Sequence, residues 1–172
     1  MTAAQDPERP LGVIEAMETT RAIRHLENRP VDESLIRKVL WAATRASSPG
    51  NSQGWEFVVL RDAQKKRRIG QAIASRRPED PMIAKPDPTQ ARMLRGAFHL
   101  IDHFHEVPVV IFVCGRLIYP PQKPLKRFVW STVYPAAQNL IVAARSLGLG
   151  TTFTTLHEFA EPEIRRELAL PD

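Results

Sequence analysis

What the chain has least of narrows its class first. A single cysteine, Cys114, stands among 172 residues, so no disulfide can form within the chain and no cysteine-rich metal framework is available. It lies in VPVVIFVCG, residues 107–115, a strand-like apolar run where a buried, inert thiol is expected. No apolar run is long enough to cross a bilayer. The opening stretch MTAAQDPERPLGVIEAMETT has acids and prolines where a signal peptide needs an apolar core. A soluble, cytoplasmic protein with no membrane contact is the expectation. Aromatic residues make up only 7%, few for a surface that stacks nucleic-acid bases.

Several catalytic signatures are also missing. No G-x-G-x-x-G and no G-x-x-x-x-G-K-[ST] occurs, so neither a dinucleotide fingerprint nor a P-loop is supported. Gly148-Leu149-Gly150 is too short to serve as either. No serine sits in G-x-S-x-G, and no Cys/His pairing is spaced for nucleophilic catalysis. His99 and His103 stand at i, i+4 with Asp102 and Glu106 close by, a spacing that can hold zinc on one helix face. The HExxH glutamate and a cysteine partner are absent, so solvated helix histidines and no metal are expected.

What is present fits one globular domain over residues 1–172, with 43% hydrophobic and 25% charged residues. The net charge of +5 favours anionic partners without naming one. The densest basic run, Lys65-Lys66-Arg67-Arg68, follows Arg61-Asp62 and reads as the solvated first turns of a helix. A nucleic-acid-binding module using that run and the 116–127 loop is a distant alternative; no nucleic-acid motif accompanies it.

Taken in order, Val13, Ile14 and Met17 have helical spacing over residues 12–19. TRAIRH, residues 20–25, sets Arg21 and Arg24 three apart, with Ile23 expected to point inward. Two neighbouring guanidiniums are costly unless an anion or carboxylates lie between them, and arginine matches phosphate bidentately. Glu15, Glu18 or Glu27 could equally serve as partners. After Pro30-Val31, Asp32 or Ser34 caps a helix in which Leu35, Ile36, Val39, Leu40, Ala43 and Ala46 repeat at helical intervals. That helix leads into ASSPGNSQGW, residues 46–55. Its amides carry both donors and acceptors suited to a heterocycle's mixed edge, although such clusters also make plain solvated turns.

A strand follows over 56–60, then an Asp62-capped helix to Ser75. A Pro-rich loop of lid-like length spans 76–88. A helix over 89–105 and a strand over 107–114 come next, then a Pro- and Lys/Arg-rich loop over 115–127. The longest helix is expected over 128–147, kinked at Pro135. Its broad apolar face of Val129, Val133, Ala136, Ala137, Leu140, Ala144 and Leu147, extended by Trp130 and Ile141, calls for a packed centre or a dimer interface. Gly148 suits its C′ position. A third strand over 151–156 and a helix over 161–168 complete an α+β pattern.

The ordered elements TRAIR, the helix begun by Pro30-Val31, ASSPGNSQGWEFVVL and LIVAARSLGLGTTFTTL together resemble the FMN-dependent nitroreductase family, from about residue 13 to about residue 170. The resemblance implies a three-layer α+β fold with a mainly antiparallel central sheet flanked by helices and a long central dimer helix. It implies that Arg21, Ala22 and Arg24 bind the FMN phosphate and ribityl chain. Ser47, Ser48, Pro49, Asn51 and Gln53, with Gly54 and Trp55, would form a loop over the flavin of the partner subunit. The backbone of Thr154, Thr155 and Leu156, with His157 nearby, would serve flavin N5.

Against the family pattern, Ala22 replaces a serine and Gly54 replaces a proline, which is expected to loosen the loop. Thr155-Leu156 replaces a Gly-Gly or Glu-Gly pair. The family continues past the position of Asp172 with a strand, an arm across the dimer and a late basic residue, so a short protein or a fragment is expected. The resemblance implies an enzyme without a catalytic side chain, in which NAD(P)H reduces FMN and a nitro compound, quinone or similar small acceptor is then reduced. The loops at 76–88 and 115–127 would choose that acceptor. An FMN-storage protein or a specialised flavin enzyme of the same fold is the alternative.

Overall fold

Three aspartates start three helices, and each does so by the same chemistry. Asp32 accepts from the Ser34 amide at 2.7 Å, Asp62 from the Lys65 amide at 2.7 Å, and Asp87 from the Thr89 amide at 2.7 Å. Each carboxylate thereby satisfies an orphan N–H at a helix N-terminus. The computed structural model describes residues 10–77 and 87–171. Most of the loop expected over 76–88 lies outside the described residues. The chain divides into two units, one of residues 1–22, 31–57 and 113–153, the other of 23–30, 58–112 and 154–172.

The first unit is built on its longest helix. It contains α1 (Val13–Thr19), α2 (Glu33–Ala43), a 3-10 turn at Pro49–Asn51, the start of β1 (Trp55–Leu60), the end of β2 (Val110–Gly115) and α5 (Lys126–Ser146). Ile36, Val39 and Ala43 of α2 are buried, as are Thr132, Ala136, Ala137, Leu140, Val142 and Ala144 of α5. The small residues allow close helix approach, and Asn139 Nδ2 donates to the Ala42 carbonyl at 3.3 Å. The α1 end is tied to α5 by Arg145 Nε donating to Thr19 Oγ1 at 2.9 Å. Ser146 Oγ donates to the Leu11 carbonyl at 2.5 Å. At Gly115 a Cβ would stand 2.4 Å from Val129 Cγ1, so only glycine lets β2 end against α5.

Helix α5 runs through Pro135 as one element and closes in a Schellman motif. The Gly148 amide donates to the Arg145 carbonyl at 3.0 Å and the Leu149 amide to the Ala144 carbonyl at 2.9 Å, with Gly148 at φ +77°. Three features depart from expectation. Trp130 does not extend the buried face; it is 55% exposed. The α1 stripe of Val13, Ile14 and Met17 also faces outward, and only Ala16 of that helix is buried. Finally, α2 stops at Ala43 and does not reach Ala46, because the chain turns through Thr44 and Arg45 into the loop.

The second unit holds the end of β1, α3 (Ala63–Arg76), α4 (Pro88–Asp102), the start of β2, two 3-10 turns at Phe104–Glu106 and Leu156–Phe159, and α6 (Glu161–Leu168). Leu60, Ile69, Ile73, Ile101, Phe104, Ala160 and Ile164 form its core. Helices α3 and α6 are laced by Arg68–Glu167 at 2.7 Å and by Arg76–Glu163. The Arg76 guanidinium, hydrogen-bonded to Glu163, pulls that carboxyl down to about 2. Within the basic run, Lys66 is buried and its Nζ donates to the Val107 carbonyl. Burial lowers its pKa from the ordinary lysine value.

β1 and β2 pair into a two-stranded sheet. The Arg116 amide donates to the Gly54 carbonyl at 2.7 Å, which sets the end of β2 beside the start of β1 and makes the pair antiparallel. Residues 107–109 do not join β2; a 3-10 turn at Phe104–Glu106 replaces the end of the expected helix, and Pro108 has no amide to donate. Cys114 is half-buried, not buried. The expected third strand over 151–156 is reduced to one parallel bridge, Thr151 to Ala22. Among the described residues the β-branched threonines there have no neighbouring strand to pair with, and Leu156 turns into a 3-10 helix. The whole is an α+β fold, rich in helix with a small antiparallel sheet.

Candidate functional site

The loop 47–54 of the first unit is folded on itself. Ser48 is extended, and Pro49 opens the 3-10 turn. Gly50, Asn51 and Gln53 then take left-handed backbone at φ +58°, +49° and +47°. The Asn51 amide donates to the Ser48 carbonyl at 2.9 Å and the Ser52 amide to the Pro49 carbonyl at 3.1 Å. The Gln53 amide donates to Ser48 Oγ at 3.0 Å. Gln53 Nε2 donates to Asn51 Oδ1 at 2.9 Å, so Asn51 Nδ2 and Gln53 Oε1 are left as a donor and an acceptor on two exposed side chains. Ser47 is exposed beside them.

Gly54 does not loosen this loop. It is buried, its carbonyl is held by Arg116, and a Cβ there would lie 3.1 Å from Ile118 Cδ1. The glycine admits a close neighbour where a proline would have supplied stiffness.

TRAIR is extended, not helical. Ala22 makes the bridge to Thr151, and the exposed Arg21 guanidinium donates to the Glu18 carbonyl at 2.8 Å and the Thr20 carbonyl at 2.6 Å. Ile23 does not point inward; it is 40% exposed. Glu27 pairs with Arg29 at 3.3 Å, so it is engaged away from the two arginines. Within the second unit, Arg24 is half-buried and its stem lies against α4, where a Cβ on Gly96 would come 3.0 Å from Arg24 Cδ.

In the same unit Thr154 and Thr155 are exposed and Leu156 is half-buried against the core. The Leu156 amide donates to Thr154 Oγ1 at 3.1 Å. The Thr155 carbonyl accepts from the Glu158 amide at 3.0 Å. Of the expected residues, Ser48, Asn51 and Gln53 are thus bonded into one cluster with Pro49 at its turn.

The histidines are not simply solvated. His99 stacks between His25, with ring centroids 3.9 Å apart, and His103, at 4.1 Å. Desolvation, then the neighbouring His25 and His103, lowers the His99 pKa below the ordinary 6.5. Among the described residues no group of three or more His, Cys, Asp or Glu is placed to hold a metal. Two residues beyond those expected take part: His25, in the histidine stack, and Tyr119, whose ring fills the space beside Gly50. An aromatic among the prolines of a surface loop was the one signal for Tyr119, and nothing in the spacing pointed to His25.

No described helix is long and apolar enough to cross a membrane. Comparison with known proteins gives consistent findings. The model of the nitroreductase family matches residues 17–172. Over 164 residues the chain is 27% identical to the Methanothermobacter thermautotrophicus protein named "Putative NADH dehydrogenase/NAD(P)H nitroreductase", covering 94% of this chain and 71% of that one. It is 25% identical over 185 residues to nitrobenzene nitroreductase of Ectopseudomonas oleovorans, covering 88% of this chain and 77% of that protein. The crystal structure of a nitroreductase with bound FMN from Bacteroides fragilis shares its fold at a TM-score of 0.67 and 18% identity, over 92% of this chain and 79% of that one.

Proposed function

The chain belongs to the nitroreductase family, and on that premise we propose that it is a cytoplasmic FMN-dependent oxidoreductase. NAD(P)H would be its electron donor and a nitro compound, quinone or similar small molecule its acceptor. The family membership, the Methanothermobacter thermautotrophicus relative named for NAD(P)H nitroreductase activity and the FMN-bound structure of the same fold support this reading. When bound, FMN supplies hydride acceptance and donation at N5, so no side chain is asked to act as general base.

The donor set suits that group. Arg21 and Arg24 offer guanidiniums to a phosphate, with Ala22 supplying backbone in between. Asn51 Nδ2 and Gln53 Oε1, whose amides are bonded to each other through Gln53 Nε2 and Asn51 Oδ1, present donor and acceptor groups to a heterocycle edge. Ser47 and Ser48 add hydroxyls, and Pro49 fixes the turn that carries them. The backbone of Thr154, Thr155 and Leu156 is assigned to N5. The observation that carries the proposal is the amide pair Asn51–Gln53, exposed and held in left-handed backbone. Titration of the purified protein with FMN, followed by quenching of flavin fluorescence, is expected to saturate at one FMN per chain; a colourless protein that quenches nothing overturns the reading.

We further propose a homodimer with shared FMN sites, supported by the outward-facing Val13, Ile14, Met17, Trp130, Tyr134 and Phe153, of which Trp130, Tyr134 and Phe153 lie ring beside ring in one exposed aromatic cluster. A second reading, FMN held without general reductase activity, draws on one observation: the Leu156 amide is engaged by Thr154. Stopped-flow bleaching of the bound flavin by NADH or NADPH separates the two. The nucleic-acid alternative loses support, since Lys66 is buried and Arg68 is paired with Glu167.

A further inference from the structure

The loop over 115–127, expected to choose the acceptor, also engages the amide-rich loop. We infer that Tyr119 is a positioning residue that holds Asn51 and Gln53 ready for the cofactor, an inference that rests on the FMN reading above. The contact is tight. A Cβ built on Gly50 would fall 2.2 Å from Tyr119 Cε2, 2.6 Å from Cζ and 2.9 Å from Oη. The ring therefore occupies the space that any side chain at position 50 would need, and it meets the loop at the first of its three left-handed residues.

Tyr119 is itself anchored. Its ring meets Phe128 edge-on at 5.3 Å and 77°. Its carbonyl accepts from the Leu125 amide at 2.9 Å, and the Phe128 amide donates to the Leu125 carbonyl at 3.0 Å. The ring is thus fixed to the first turn of α5. One step earlier, Ile118 seats on Gly54, and Arg116 holds the Gly54 carbonyl. The segment 116–119 braces the amide loop at both ends, at Gly50 and at Gly54. Between them stand Asn51, Ser52 and Gln53.

Such bracing has work to do. Left-handed backbone is unfavourable for residues that carry a Cβ, and it persists only where surroundings over-determine it. Asn51 and Gln53 both adopt it. Without the ring the Pro49–Asn51 turn can relax to ordinary backbone, and the amide pair loses its fixed presentation. A ligand would then have to order the loop on binding, which weakens affinity without removing any contact.

The test compares Tyr119→Phe, Tyr119→Ala and Tyr119→Leu in the full chain by FMN fluorescence quenching, amide hydrogen exchange over residues 50–54 and thermal melting. Tyr119→Phe keeps the ring on Gly50 and is expected to retain wild-type affinity and exchange. Tyr119→Ala is expected to weaken FMN binding about tenfold, the usual scale of a lost preorganising contact, and to speed exchange at Asn51, Ser52 and Gln53. If Tyr119→Ala no longer melts cooperatively, Tyr119→Leu, which keeps bulk beside Phe128 but no ring on Gly50, is read in its place. Unchanged exchange over 50–54 in the folded variant overturns the inference, as does unchanged FMN affinity. Should the wild type bind no FMN, the FMN reading fails on that result alone, and the exchange arm still decides whether Tyr119 holds the loop.

Discussion

The imidazole of His99 lies on that of His25, with centroids 3.9 Å apart and planes 26° from parallel. The contact joins α4 to the short segment that carries Arg24. His99 is held below its ordinary pKa by desolvation first and by His25 and His103 next, while Glu106 and Asp102 pull weakly the other way. A base whose folded pKa is depressed takes up its proton first in the unfolded chain. The folded state is therefore undisturbed above pH 6.5 and loses stability as pH falls below it. Melting temperatures measured from pH 7.5 to 5 are expected to fall more steeply for wild type than for His99→Gln. Parallel slopes would show that the stack does not titrate against folding.

Gly96 separates two effects that usually travel together. Alanine is the better helix former by about 0.5–1 kcal/mol, yet its Cβ would meet Arg24 Cδ at 3.0 Å. The arginine stem is flexible and can yield. Gly96→Ala is expected to leave thermal stability equal or slightly higher while weakening FMN binding a few-fold through a displaced guanidinium. Denaturation and FMN titration on the same variant check both halves; equal affinity removes Arg24 from the phosphate role.

Gly148 isolates a backbone cost. Its φ is +77°, and a Cβ there would meet nothing within 4 Å. Gly148→Ala should then destabilise by about 1–2 kcal/mol, the cost of left-handed backbone for an L-residue, with no steric contribution. Urea unfolding measures it directly.

Glu163 sets acid sensitivity in the second unit. Its hydrogen bond from Arg76, the largest cause, holds the carboxyl at about 2, against an ordinary 4.5. A depressed carboxyl contributes stability above its unfolded pKa and loses it as pH falls from 4.5 toward 2. Glu163→Gln is expected to flatten the acid limb of the stability profile in that window, as read by far-UV circular dichroism. A limb as steep as wild type would mean that the pair is too solvated to matter.

Much of the helical framework could be read from local chemistry. Asp32, Asp62 and Gly148 act within a few residues of themselves, and each marks the boundary it was expected to mark. What could not be read depends on partners distant in the chain. TTFTTL has strand-forming residues, but among the described residues only Ala22 pairs with it. Trp130 and the α1 stripe are apolar, and periodicity alone does not say which apolar face turns inward. Gly54 looked like a source of slack because its neighbour Ile118 lies more than sixty residues away in sequence. In the candidate site, the amide cluster was legible as composition, whereas its left-handed backbone and the tyrosine that braces it were not.

The bonds from α5 back to Thr19 and Leu11 span 126 and 135 residues. Contacts that close loops of this length tend to form late, because closure entropy is lost before the contact stabilises anything. During synthesis at about 5–20 residues per second, α1 leaves the ribosome roughly 5 to 25 seconds before the helix it packs on. For that interval Ala16 has no α5 to lie against, and the N-terminal turn must wait, uncovered, for the far end of the chain to arrive.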